Sequence, residues 1–339
     1  MKRQEGFITI LALLVITIIA IFTFYLLNVL ENNILMTSAA ENSIQAYYSA
    51  ESKLYMLLNK DEYYYEQLIP RVKRFIKHGR ISPTYEPSIT LDRNDLIAGD
   101  NNNKIKLEFI TGRDRQILEL EINSNKNKTS KTIFVELFLI NELFEMELPI
   151  ISLNTLPEEK RNVFINFMTN LKEEVSISNL DEEITGIYAV NYNEINIINK
   201  ENSLLVEYYR KGFVEPVRED NISNNQIFLL AKNKEFNHIN VSLGNNFDNI
   251  SIEGIIYVEG DLNIYGTFEF AGIMIVNGKV TIYPEADVKV DGIILTGEDI
   301  ENLGEIDQFI ANYDLLAIKR YGIYLPNFID IKINKIKVN

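Results

Sequence analysis

The chain has 339 residues, 33 Lys and Arg against 48 Asp and Glu, a formal net charge of −15, and no cysteine. Disulfides and thiolate metal sites are thereby excluded, and a nucleic-acid partner is disfavoured, because a phosphate-binding face needs clustered Lys and Arg. The length allows one or two domains beyond the N-terminal segment, each held by core packing alone.

Lys2 and Arg3 lead into Glu5-Gly6-Phe7, and from Phe7 to Leu30 there is no charge, proline or glycine. At about 1.5 Å of helical rise per residue, this run is long enough to cross a hydrocarbon layer of about 30 Å. The basic residues precede it and no cation follows until Lys53. That bias predicts a single-pass anchor in the cell membrane, with the N-terminus cytoplasmic and the head extracytoplasmic. The run exceeds the apolar region of a secretory signal, about 7–15 residues. A small-x-small site at Ser38-Ala39-Ala40 lies past its end. Signal cleavage there, an unprocessed anchor, and a third kind of processing are the alternatives.

The junction Lys2-Arg3-Gln4-Glu5-Gly6-Phe7, followed by the apolar run, resembles the class III leader of type IV pilins and pseudopilins. The resemblance implies a cut by prepilin peptidase between Gly6 and Phe7, on the cytoplasmic side, and an N-methylated Phe7. The apolar helix would survive and later pack into a filament core. Ala39-Ala40-Glu41-Asn42, Ala46 and Ser49-Ala50-Glu51-Ser52 resemble the segment after the anchor in PilX-type pilus assembly proteins. Most pilins carry glutamate at the fifth mature position, where this chain has Leu11, and a proline further on, where it has Asn28. A carboxylate in mid-membrane costs about 2.5–3.5 kcal/mol and is kept where it finds a partner. Leu11 removes the cost and the pairing, which by resemblance marks a minor subunit at a filament tip. The Phe7 amine would still meet a neighbour's glutamate. The partners implied are other pilin-like subunits, the prepilin peptidase and the membrane.

Beyond the anchor, Ala40, Ile44, Tyr47, Leu54 and Leu58 recur at helical spacing, predicting that the helix continues to Lys60 with these residues on its buried face. Residues 61–87 read as a connector. Tyr63-Tyr64-Tyr65 would form a partly buried seam there, and Lys73, Arg74 and Lys77 would be solvated or lie near anionic lipid. Strands are predicted at Lys104–Thr111, Gln116–Ile122 and Lys131–Ile140, the last two flanking the polar loop Asn123–Ser130. Pro157 to Val175 predicts a helix with Pro157 and Glu158-Glu159 at its start, and Val163, Phe164, Phe167 and Leu171 as its buried stripe. Strand patterns return at Gly186–Tyr192, Glu194–Ile198 and Ser203–Tyr209.

Gly254, Gly260, Gly266, Gly272 and Gly278 recur every six residues, and Gly254-Ile255-Ile256 is echoed at Gly272-Ile273-Met274 and Gly292-Ile293-Ile294. A fixed period of short β-prone runs predicts a β-solenoid whose glycines turn its corners. A run of hairpins with glycine turns is the competing architecture. The stretch resembles coils of bactofilin-like proteins and of some PilX-type heads. Glu305–Arg320 is predicted as a helix capping the open end, and Phe328–Val338 as a closing strand. The expected fold is α+β, a long N-terminal transmembrane helix carrying a β-rich head with a short β-solenoid near the C-terminus. The expected segments are a leader (1–6), the anchor helix (7–60), a mixed head (61–245), the coils (246–300), and a cap with terminal strand (301–339).

No catalytic constellation is present. His78 and His238 stand in no metal-ligand spacing, and no phosphate loop or nucleophile motif occurs. The acids Asp181-Glu182-Glu183, Glu219-Asp220 and Glu298-Asp299 read as solvated loops, with calcium as the alternative. Glu259, Asp261 and Glu269 lack the basic companions of a polysaccharide-cleaving face. The expectation is therefore no enzyme, no cofactor and no metal. The expected function is that of a minor pilin-like subunit of a type IV pilus or related pseudopilus, acting in filament assembly, priming or tip presentation. The alternative is a membrane-anchored surface adhesion or carbohydrate-binding protein that never enters a filament.

Overall fold

Leu-, Ile- and Ala-rich sequence with no proline, and no glycine after Gly6, gives helix α1 (Lys2–Asn59), which runs unbroken for 58 residues in this computed structural model. It is about 87 Å long at 1.5 Å per residue. The structure describes residues 2–80, 85–111, 115–178, 180–200, 203–233, 238–245, 249–298, 300–301 and 309–338.

The segment read as a connector is largely helical. It forms α2 (Asp61–Tyr63), one π-helical turn (Tyr64–Leu68) and α3 (Ile69–His78). Pro70 sits in the first turn of α3, and Gly79 ends it in the left-handed region at φ +67°. Both are regular helix-boundary devices. Val72, Phe75 and Ile76 form its buried face. Of the three tyrosines, Tyr63 is buried and Tyr65 is exposed.

The first strands are β1 (Ser88–Thr90), β2 (Lys104–Thr111), β3 (Gln116–Lys126), β4 (Thr129–Ile140) and β5 (Ile150–Ile151), followed by helix α4 (Glu158–Glu174). Then come β6 (Thr185–Val190), β7 (Glu194–Lys200), β8 (Ser203–Tyr209), β9 (Arg218–Ile222), β10 (Gln226–Lys232) and β11 (Asn240–Leu243). Next are β12 (Asn249–Val258), β13 (Asp261–Ile264), β14 (Thr267–Val276), β15 (Val280–Ile282), β16 (Asp287–Thr296) and β17 (Ile300–Glu301). The chain closes with β18 (Phe309–Asn312), helix α5 (Leu315–Gly322) and β19 (Ile329–Val338).

One antiparallel sheet has the order β1-β2-β3-β4-β19. Alternation along β3 and β4 turns Leu118, Leu120, Ile122, Ile133, Val135, Leu137 and Leu139 towards α1, all of them buried. The polar stretch expected as a loop is instead ladder. β3 and β4 pair out to Lys126 and Thr129, and Asn127 turns at φ +53°. The strand expected at Phe328–Val338 is present as β19. It pairs antiparallel with β4 at the edge of this sheet.

Two further sheets are built mainly of parallel strands. One has the order β18-β16-β14-β12-β10-β6, the other β17-β15-β13-β11-β7, extended by antiparallel β8 and β9. The chain alternates between them, and each circuit adds one strand to each. Gly254, Gly272 and Gly292 fall in register. A run of hairpins would pair neighbouring strands antiparallel. The stacked strands begin at Thr185, because β6 pairs β10 and β7 pairs β11 in parallel. The boundary expected at 246 therefore cuts through the stack.

The repeat glycines do not all turn corners. Gly254, Gly272 and Gly292 lie inside ten-residue strands at φ +132°, +144° and +151°. A Cβ on Gly272 would lie 2.0 Å from the Gly254 carbonyl oxygen. Glycine is needed there for conformation and for close approach of successive coils. Between the sheets, Ile252, Ile256 and Val258 stack on Phe270, Met274 and Val276, and these on Val290 and Ile294. The alternate residues Ile255, Tyr257, Ile273, Ile275, Ile293 and Leu295 enter a second core with Phe164, Phe167 and Leu171 of α4 and with Phe144, Ile318 and Phe328.

The expected cap also differs. Residues 305–308 lie outside the described residues, Phe309–Asn312 is strand β18, and helix begins at Leu315. α5 packs on the flank of β12, β14 and β16. The end of the stack is covered by β18 over Val288–Asp291 and by β5 over Ile294-Leu295.

Candidate functional site

The functional positions read from the sequence lie on α1. Helix runs through the Gly6-Phe7 junction without a break. Phe7 and Leu11 are exposed, as is every large apolar side chain from there to Met36. Exposed hydrocarbon on this scale requires a lipid or protein partner. The segment is long and apolar enough to cross a membrane. Two of its threonine hydroxyls are satisfied within the helix. Thr17 donates to the Leu13 carbonyl at 2.7 Å, and Thr23 to that of Ile19 at 2.8 Å. Polar groups need such internal partners where water is absent.

The other half of α1 is seated in the head. Ala46, Ala50, Leu54 and Leu57 are fully buried under β3 and β4. This stripe is rotated from the one expected. Ala40 and Ile44 are exposed, while Tyr47 and Leu58 are half-buried. Small residues at 46 and 50 let the helix backbone approach the sheet, and the same face carries the buried polar residues Ser49 and Lys53.

Those two residues meet Asp100. Lys53 Nζ lies 2.6 Å from Asp100 Oδ2 and donates to the carbonyls of Asn102 (2.5 Å) and Asn123 (2.7 Å). Asp100 also accepts from Ser49 Oγ at 2.8 Å, from Ser124 Oγ, and from the backbone N–H groups of Asn102 and Asn125. Both charged side chains are 1% exposed. Burial raises the Asp100 pKa, but hydrogen bonds from Lys53, Ser124, Asn102 and Ser49 outweigh it and hold the carboxyl below the usual range. Burial pulls the Lys53 ammonium below the ordinary lysine range, with Asp100 opposing. A buried charge pair with this many partners is a positional lock. It fixes the register of α1 on the sheet. Sequence reading missed it. The available signal was a lysine set among Ala50, Leu54 and Leu57, with an Asp following Gly99.

Contacts along α1 order the head. The β3–β4 turn reaches Asn42, where Asn127 Nδ2 donates to Asn42 Oδ1 at 2.8 Å. The lock lies further on, and Lys60 and Tyr63 meet Asp95 at 2.5 Å beyond it. α3 follows the end of α1 about 45 Å from Leu30. Lys77 is bound to Asp181 and to the Tyr324 hydroxyl (3.1 Å), whereas Lys73 and Arg74 face solvent.

The remaining candidates are scattered. Asp181 is engaged by Lys77, and Asp220 by Tyr208 and Arg218. Asp299 lies outside the described residues. His238 stands 3.2 Å from Asp261, and His78 is exposed on α3. Among the described residues, no three His, Asp or Glu side chains converge on a point where a metal would sit.

No protein-family model matches the chain, and no curated protein matches it. Among solved structures, the competence-associated pilin ComZ from Thermus thermophilus aligns over 88% of this chain and 98% of its own, at 9% identity and a TM-score of 0.24.

Proposed function

We propose that the chain is a minor pilin-like subunit of a type IV pilus or related pseudopilus, of the PilX-like kind, acting in filament assembly, priming or tip presentation. The observation that supports this reading is the division of labour along α1. One continuous helix has an unpartnered apolar half and a half locked into a β-rich head. A helix of that kind transmits force and position from a lipid or filament core to the head without a hinge. In this reading Gly6 and Phe7 flank the prepilin peptidase cut, which removes Lys2 and Arg3 and keeps the hydrocarbon. Other pilin-like subunits then replace lipid around residues 7–36. Leu11 offers no carboxylate to a neighbour's amine, so the subunit's own Phe7 amine makes the pairing, which suits a terminal position.

Intact-mass analysis of the protein from its native membrane tests the proposal. The expected mature form begins at N-methylated Phe7, and Gly6→Ala leaves the leader in place. A mature start near Glu41, or retention of Met1 in cells with an active prepilin peptidase, overturns it.

A further inference from the structure

A cleft of about 500 Å³ lies between the C-terminal turn of α4 and the outer face of β6 and β10, with Glu259, just past β12, on its lining. Clefts of about 300–1,000 Å³ with an apolar lining and a few convergent polar groups are the usual form of small-molecule sites. The floor here is Val175, Val190 and Leu230. Tyr188 stands on one wall beside Leu230, and 57% of it is exposed.

The polar groups are built in. Lys232 Nζ donates to the Lys172 carbonyl at 2.7 Å, satisfying one of the last carbonyls of α4, and lies 3.5 Å from Glu259 Oε1. The Tyr257 hydroxyl donates to the same oxygen at 3.3 Å, and Asn277 donates to Tyr257 at 3.2 Å. Helix capping thus accounts for Lys232, and charge balance for Glu259. Lys232 and Tyr257 both engage Oε1 of Glu259, so Oε2, on a side chain that is 7% exposed and lines the cleft, stays open as an acceptor, with the exposed Ser176 hydroxyl on the rim.

The chemistry of the cleft selects its ligand. An apolar floor with a tyrosine ring recognises a flat C–H face. A carboxylate oxygen accepts hydrogen bonds only, and a serine hydroxyl gives or takes one. An anion would meet the carboxylate, and a cation would compete with Lys232 for a charge already balanced. A neutral ring with one apolar face and hydroxyl edges suits the apolar floor and the Glu259 acceptor, and its hydroxyls also suit Thr169 and the opposite charges of Lys172 and Glu173, which line the same cleft. We propose that this cleft binds a neutral saccharide of one or two rings, with Tyr188 as the stacking platform and Glu259 as the hydroxyl acceptor. The site would operate whether or not the chain enters a filament.

The test is saturation-transfer NMR on the full-length chain in a sugar-free detergent, with cellobiose, maltose, lactose and N,N′-diacetylchitobiose as probes. At least one is expected to bind saturably with millimolar or tighter Kd. Tyr188→Ala and Glu259→Gln should each weaken that binding about tenfold or more. Tyr283→Ala, on the other parallel sheet, should leave it unchanged. Tyr188 is exposed, so its variant reports on the site even if Glu259→Gln perturbs folding. Absence of saturable binding by all four sugars, or binding that survives Tyr188→Ala, overturns the proposal.

Discussion

Lys53 and Asp100 carry more of the design than their number suggests, because each is buried and each depends on the other. Removing one partner of a buried pair leaves an uncompensated charge and costs about 3–5 kcal/mol. Lys53→Met should therefore lower the unfolding free energy by about that amount in urea titrations, and Lys53→Met with Asp100→Asn by less. The pH dependence has a definite sign. Asp100 is depressed in the folded state, so its contribution is present above the ordinary carboxylate pKa and is lost as pH falls through the lower folded value. Acid titration of the wild type should show that loss, and Asp100→Asn should remove it. Two glycines give a matched contrast. At Gly79 a Cβ meets nothing within 4 Å, so Gly79→Ala pays only for the left-handed backbone, about 1–2 kcal/mol. At Gly272 the Cβ runs into backbone at 2.0 Å, and Gly272→Ala should cost about 3 kcal/mol or more. Thermal melting of the two variants separates these costs. The Gly272 position was legible as a repeat. That the glycine sits in mid-strand, under the carbonyl of the coil before it, was not, because close approach between coils is a three-dimensional relation.

At the scale of elements, the helical and strand periodicities of the sequence match β2, β4, β6, β8 and α4, but not the buried stripe of α1, the buried face of α3 or the strands β10 and β11. They failed where an edge or a turn decided. Ile306, Phe309, Ile310 and Tyr313 fit a helical period, yet Phe309–Asn312 pairs with β16, since an open parallel edge offers a row of unpaired amides and carbonyls. Helix starts only after Asp314, whose carboxylate accepts from the N–H groups of Leu316 and Ala317 at 2.8 and 3.3 Å. Asp314→Ala should cost about 1 kcal/mol. Amide hydrogen exchange should locate the loss in residues 315–322, with β18 unaffected. The polar ends of β3 and β4 lack the apolar alternation that marks a strand. Ladder hydrogen bonds, the Asn127 turn and the contacts of Asn123 and the buried Ser124 with Lys53 and Asp100 hold them instead.

For the molecule as a whole, the decisive feature is a shared core. Leu54, Leu57 and Tyr63 from the N-terminal helices belong to the same buried cluster as Ile255, Ile275 and Leu295 from the outer face of the coils. Helices α4 and α5 contribute to it as well, and β5 is hydrogen-bonded to β16. Repeat stacks that stand alone lose coils step by step. This one is welded along its flank, so it should unfold with the antiparallel sheet. Far-UV circular dichroism and tyrosine fluorescence, in a chain with 18 Tyr and no Trp, should give coincident denaturation curves. Ile275→Ala should shift both curves together by about 2–5 kcal/mol. Two separate transitions would show that the coils are an independent unit.

Elements with a local cause are legible in the residues alone. These are the unbroken apolar helix, which needs only composition and the absence of breakers, and the glycine period, which needs only counting. The residues alone could not supply the rotation of α1 on its sheet, the first coils before residue 249, or the destination of the last strand. Each of those is set by which distant surface offers a partner for a buried charge, an open edge or an apolar flank. Such partners exist only once the chain has folded.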